Sequence, residues 1–202
     1  MEKKALTGKD LLLSFLFSPG IKASVNEPIV GRTKLTKMMF LFEKQIYSKF
    51  FKDEIAISLP DFEPYYFGPF SRELFEDLAF FESIGMICTS QTNIPLSSAD
   101  KAERSNVFDD SDLWSEATFE EESEEYELAY SLSPSGKNYV QEKVWELFSS
   151  SQKEKLRQFK GQINKISLDA LLRYVYTTYP EETKKSKIAD RYLETDRVEK
   201  KC

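Results

Sequence analysis

The sequence predicts an α+β fold that is mostly helical, and three observations carry that expectation. Apolar residues recur at spacings of three and four in several separate stretches, the mark of helices with one buried face. Thr7, Ser71, Ser133 and Ser167 stand just ahead of four of them, where a hydroxyl can accept from amides that a helix start leaves unpaired. Two short runs, 86–91 and 126–132, are instead β-prone, and the second alternates with a period of two. The 202 residues, 41% hydrophobic and 14% aromatic, suffice for one sizeable core or two small ones.

In chain order, Thr7-Gly8-Lys9-Asp10 fits a capping box, and the apolar Leu11 to Phe17 makes the first helix, stopped by Ser18-Pro19-Gly20. Residues 21–31, with Asn26, Pro28 and Gly31, read as a connecting loop. A second, long helix follows from Arg32, with Leu35, Met38, Met39, Phe42 and Ile46 on one face. Ile55, Ile57 and Leu59 alternate as a short strand or extended segment.

The stretch 62–86, FEPYYFGPFSRELFEDLAFFESIGM, organises the rest. Its aromatic Phe62, Tyr65, Tyr66 and Phe67 suit a strand that Gly68-Pro69 should end in a turn. Ser71 should cap a helix beginning at about Arg72, with Leu74, Phe75, Leu78 and Phe81 inward and Gly85 as a left-handed cap. The runs 86–91 and 126–132 can pair antiparallel. Ser133-Pro134 then opens a helix through Val140, Val144 and Phe148, and two more helices follow over 149–166 and 168–179. The connectivity is that of a winged helix-turn-helix-like core with a small antiparallel sheet and an added C-terminal helical region. Residues 1–149 would be the winged-helix-like domain, and 150–202 an extension packed on it. The helix from Arg72 takes the place of a recognition helix.

Charge is unevenly spread. Residues 92–125 hold eleven acids against Lys101 and Arg104, a net −9, which leaves +3 for the rest of a chain whose total is −6. This acidic insertion, rich in Ser, Asp and Glu, is expected to be disordered or a long excursion, with Phe108, Trp114 and Phe119 as candidate partner-binding anchors. The complete absence of histidine removes Ser-His-Asp and Cys-His catalysis and most zinc chemistry. No spacing of acids or of the two cysteines proposes a metal, a cofactor or a disulfide framework, so none is expected and the chain reads as no enzyme. No apolar run approaches the roughly 20 residues of a membrane span, and no secretory signal is visible, which points to the cytosol.

The pieces GRTKLTKMMFLFEK, FEPYYFGPFSRELFEDLAFFESIGMI, YELAYSLSPSGKNYV and the tail SLDALLRYVYTTYPEETKKSKI resemble YwgA-like uncharacterised bacterial proteins. More distantly, the first three resemble the SocA-like (Panacea) antitoxin domain. The latter resemblance implies neutralisation of a partner protein, some members acting as adaptors. The insertion at 92–125 and the helical tail depart from that pattern.

Two functions are therefore expected in competition. The first is a non-catalytic protein-interaction module, antitoxin-like or a defence-system regulator, using Glu73, Glu76 and Asp77 with Phe108, Trp114 and Phe119 to hold a protein partner. The second is a DNA-binding regulator that uses the basic helix start Arg32, Lys34 and Lys37 and the basic tail Lys184, Lys185 and Lys187, autoinhibited by the acidic insertion. From Ser150 onward thirteen Lys and Arg face eight Asp and Glu, which keeps the second reading open. A homodimer is compatible with either.

Overall fold

The structure, a computed structural model, describes residues 4–96 and 126–193. The insertion aromatics Phe108, Trp114 and Phe119 and most of the acidic segment lie outside the described residues. Within them the fold is α+β and mostly helical, with small sheets.

Its first element is a strand, β1 (Lys4–Thr7), which leads into helix α1 (Gly8–Phe17). Thr7 Oγ1 accepts from the Asp10 amide at 3.1 Å while Asp10 Oδ2 accepts from the Thr7 amide at 2.9 Å, a reciprocal cap that starts the helix where the sequence predicts. Leu11, Leu12, Leu13, Phe15 and Leu16 are all wholly buried, so α1 is enclosed on every side and forms the axis of the core.

The segment 21–31 is not wholly loop, since Ile29–Val30 forms a two-residue strand, β2. Helix α2 (Arg32–Leu41) continues through a π-helical stretch (Phe42–Tyr47) into a last turn, α3 (Ser48–Phe50). Strand β3 (Ile55–Ser58) pairs in parallel with β1, Leu6 opposite Ile57, a long-range pairing that the sequence reading lacked. Strands β4 (Glu63–Tyr65) and β5 (Gly68–Phe70) form a tight antiparallel hairpin. The reversal falls at Tyr66 and Phe67, so Gly68-Pro69 opens the second strand rather than ending the first. Gly68 makes this possible with φ +85° and with the ring of Tyr176 3.2 Å from where a Cβ would stand.

Helix α4 (Arg72–Ser83) follows, then β6 (Ile87–Pro95) and β7 (Tyr126–Leu132). β6 and β7 pair antiparallel, from Ile87 opposite Leu132 to Gln91 opposite Leu128, and β2 adds to the other edge of β7 through Ile29 and Tyr130. The three-stranded order is β2-β7-β6. The acidic insertion therefore joins the two strands of a hairpin. Ser133 and Pro134 start α5 (Pro134–Tyr139), which runs on into a π-helical stretch, and Gly136 lies hard against the Met86 carbonyl.

Helices α6 (Ser150–Lys165), α7 (Leu168–Thr178) and α8 (Ala189–Leu193) complete the described chain. Phe159 of α6 meets Phe15 of α1 at 5.8 Å and Phe42 at 6.2 Å between ring centroids, so the C-terminal helices share the core of the first 149 residues. Lys160 makes the same junction polar. Its side chain is 0% exposed, and Nζ donates to Leu16 O at 3.0 Å and Ser18 O at 2.7 Å, closing the carbonyl end of α1. Burial pulls this ammonium down to about 7, opposed only by the charge of Glu27. Burial would raise the Glu27 carboxyl, but the Lys22 amide (2.7 Å), Asn164 Nδ2 (3.1 Å) and other donors outweigh it and hold it below the ordinary value. No helix among the described residues is long and apolar enough to cross a membrane.

Candidate functional site

Two adjoining surface features qualify as a site, the outer face of α4 and the hairpin before it. Ser71 Oγ accepts from the Leu74 amide at 3.3 Å and starts α4, and Gly85 at φ +68° follows its end. Leu74, Leu78 and Phe81 face the core. Outward point Glu73, Glu76, Phe80 and Ile84, at spacings of three, four and four, which align them along the helix. Phe80 is 48% and Ile84 50% exposed, and Glu82 adds a further exposed acid. A line of two acids followed by two large apolar side chains is more than a solvated face needs.

Asp77 does not belong to that line. It is 5% exposed and points inward, with Oδ1 3.3 Å from Lys9 Nζ and a buried Oδ2 that accepts no hydrogen bond. Burial raises its pKa against the pull of Lys9. Asp77 was expected among the partner-binding acids, but it lies three residues after Leu74 and four before Phe81, on the buried side of α4, and the N-terminal turn of α1 packs over it, so a partner cannot reach it.

The basic start of α2 is likewise turned inward. Lys37 is 1% exposed and donates from Nζ to Pro69 O at 2.9 Å, fastening the hairpin to α2. Lys34 Nζ donates to Ile166 O at 2.7 Å, tying α2 to the turn between α6 and α7. Arg32 lies half-buried with Cζ 4.5 Å from the Phe75 ring centroid. The three cations thus hold the hairpin, the C-terminal helices and α4 to one helix, where the sequence reading offered an anion site. In the tail, Lys184 pairs with Glu181, while Lys185 and Lys187 are exposed.

The hairpin carries the feature that no single stretch of sequence displays. Four half-buried rings touch in series: Phe75 and Phe70 tilted with centroids 4.7 Å apart, Phe70 and Tyr65 tilted at 4.9 Å, and Tyr65 stacked on Tyr66 at 4.5 Å. Arg32 covers the Phe75 end, and Lys187 Nζ stands 3.9 Å over the Tyr66 end. The backbone beneath is fixed. Tyr66 O accepts from the Lys187 amide at 2.9 Å and from Ser186 Oγ at 3.1 Å, and Ser186 Oγ lies 2.6 Å from Tyr176 Oη. Pairing of Glu63 with Phe70 and of Tyr65 with Gly68 places Glu63 on the same face as Tyr65 and Phe70. Glu63 is exposed on that face, while Glu73 and Glu76, also exposed, project from α4 on a different side from Phe75. The doublet Tyr65-Tyr66 with Phe70 and Phe75 was the available signal, but the cations that cap it come from residues 32 and 187.

Among the described residues no group of three or more acids and cysteines is placed to hold a metal ion. No protein-family model, curated protein or solved structure matches this chain.

Proposed function

We propose that the chain is a non-catalytic protein-interaction module of antitoxin or defence-regulator type, acting in the cytoplasm. In this reading a winged helix-turn-helix-like scaffold offers α4 to a basic, partly apolar surface of a partner protein. The observation that carries it is the exposed line Glu73, Glu76, Phe80 and Ile84 on the helix that would otherwise read DNA. Support for the scaffold comes from the order α1, β2, α2, α4, β6, β7 and from β2 pairing with β7. Exposed aromatic and aliphatic anchors ringed by charge are the usual centre of a docking surface. Duplex DNA is disfavoured on this helix, whose acids would meet phosphates, and Arg32, Lys34 and Lys37 are engaged inside the protein.

The test is affinity capture from a bacterial lysate in parallel with Glu73→Lys/Glu76→Lys and Phe80→Ala/Ile84→Ala variants. A stoichiometric protein retained by the native chain and reduced about tenfold by each variant, a loss of about 1.4 kcal/mol, is the expected result. Equal recovery by all three chains, or salt-sensitive duplex binding of the native chain, would overturn it.

A further inference from the structure

Strand β6 is the outermost strand of the three-stranded sheet, and its far edge has no backbone partner among the described residues. Two bonds tell which of its groups point that way. The Ser133 amide donates to Met86 O at 3.0 Å, in the register that sets Ile87 opposite Leu132, so residues 86, 88 and 90 turn their N–H and C=O toward β7. The Gly31 amide donates to Leu128 O at 2.9 Å, so Leu128, which lies opposite Gln91, turns toward β2 instead. Ile87, Thr89 and Gln91 therefore direct their backbone groups outward. Ile87 is buried, whereas Thr89 and Gln91 are exposed. Sheet edges are ordinarily guarded by a lysine, a proline, an inward charge or a bulge. The run ICTSQTNIP has no charged residue, and its proline and its ladder irregularity both lie beyond Gln91. Residues 87–91 carry no such guard.

We propose that this edge pairs with the same edge of a second copy of the chain, antiparallel about a two-fold axis at Ser90. That register sets Thr89 opposite the partner copy's Gln91 and Gln91 opposite its Thr89. All four are outward residues, so four N–H···O bonds close without calling on the buried Ile87. Ser90 then faces its own copy as an uncharged pair, and β6 supplies its own complement with no like charges opposed. The acidic insertion decides the direction. Antiparallel pairing sets the two Pro95 residues roughly 30 Å apart, several screening lengths, so the two insertions start from opposite ends. Parallel pairing would start both at one end, a net −9 beside a net −9. Few residues meet, which makes the dimer weak and concentration-dependent. No residue of the α4 line takes part, so the proposal goes beyond the docking reading and is tested apart from it.

Sedimentation equilibrium of the full chain from about 10 µM to about 1 mM should show monomer giving way to dimer, the range that suits so small an interface. Over the same range the Thr89 and Gln91 amides should become protected from hydrogen exchange, while the Ser90 amide, already turned to β7, should not change. Ser90→Lys and Ser90→Glu should each weaken association about fivefold, and an equimolar mixture of the two should associate at least as tightly as the native chain. In a Cys88→Ser/Cys202→Ser background, Ser90→Cys should give a disulfide-linked dimer on mild oxidation. Asn93→Cys, roughly 20 Å from its copy in this register, should not. A chain that stays monomeric to about 1 mM overturns the proposal, because an interface of this kind should populate its dimer there. So does association that Ser90→Lys leaves unmoved, a mixture no tighter than its components, or equal cross-linking at positions 90 and 93.

Discussion

Replacing Lys160 by methionine removes the one ammonium that closes the end of α1, and its consequence depends on pH in a calculable way. The ordinary lysine value is 10.5, whereas burial brings Lys160 down to about 7. Below pH 7 the amine is protonated in both folded and unfolded chains, and the folded state bears the full cost of a buried charge. Between 7 and 10.5 the unfolded chain keeps its proton and the folded chain gives it up, so stability rises with pH. The slope is about 1.4 kcal/mol per unit for one proton, or about 2–3 kcal/mol from pH 6 to pH 9. Glu27, held below its ordinary value, stays ionised throughout and adds no slope. Lys160→Met has none of this dependence. It carries instead a constant penalty for leaving Leu16 O and Ser18 O without their donor. Urea denaturation of both chains at half-unit steps from pH 6 to 9 measures the difference. That difference should move by about 2–3 kcal/mol in favour of the native chain as pH rises. A difference flat across the range would refute the buried-amine reasoning.

Gly136→Ala should destabilise the fold by about 2–4 kcal/mol in chemical denaturation, because the new Cβ falls inside contact distance of the Met86 carbonyl on the strand-side backbone. A loss under about 0.5 kcal/mol would mean that α5 shifts freely on β6. Asp77→Asn tests the inward acid. Its raised folded value means that the folded chain holds the proton more tightly than the unfolded one. The native chain should thus lose stability relative to the variant as pH rises through that window, from 3.8 upward. Thermal midpoints from pH 3.5 to 6 report it, and a variant that falls behind with rising pH would show that the half-exposed Lys9 pair dominates instead.

Helix starts were legible because they are local. Thr7 with Asp10, Ser71 with Leu74, Ser133 with Gly136 and Ser167 with Ala170 complete their bonds within three residues, so the sequence holds both partners side by side. The pairing of 86–91 with 126–132 was legible for a similar reason, since alternation and its bounding residues suffice to propose a hairpin across an insertion. The alternation of Ile55 and Ile57 likewise marked the four-residue strand Ile55–Ser58, but two other short strands were missed. Ile29–Val30 has two residues, too few for a period to register, Lys4–Thr7 buries only Leu6, and each owes its form to a partner far along the chain. Of the site, Glu73 and Glu76 were legible as exposed acids, whereas Asp77 was grouped with them by charge although its spacing from Leu74 and Phe81 puts it on the buried side of α4.

Taken alone, the sequence determined where helices begin and end, which helix faces are apolar, that imidazole chemistry is absent, and where negative charge is concentrated. These follow from residue type and spacing within a few turns. Tertiary structure alone decided the fate of the cations. A lysine in a list of charges reads as solvated, yet Lys37 and Lys160 are buried because carbonyls of Pro69, Leu16 and Ser18, distant in sequence, await their protons. The same holds for the aromatic row. Tyr65, Tyr66, Phe70 and Phe75 are neighbours in sequence, but only the closure of α2 and of the tail upon the hairpin brings Arg32 and Lys187 to its ends.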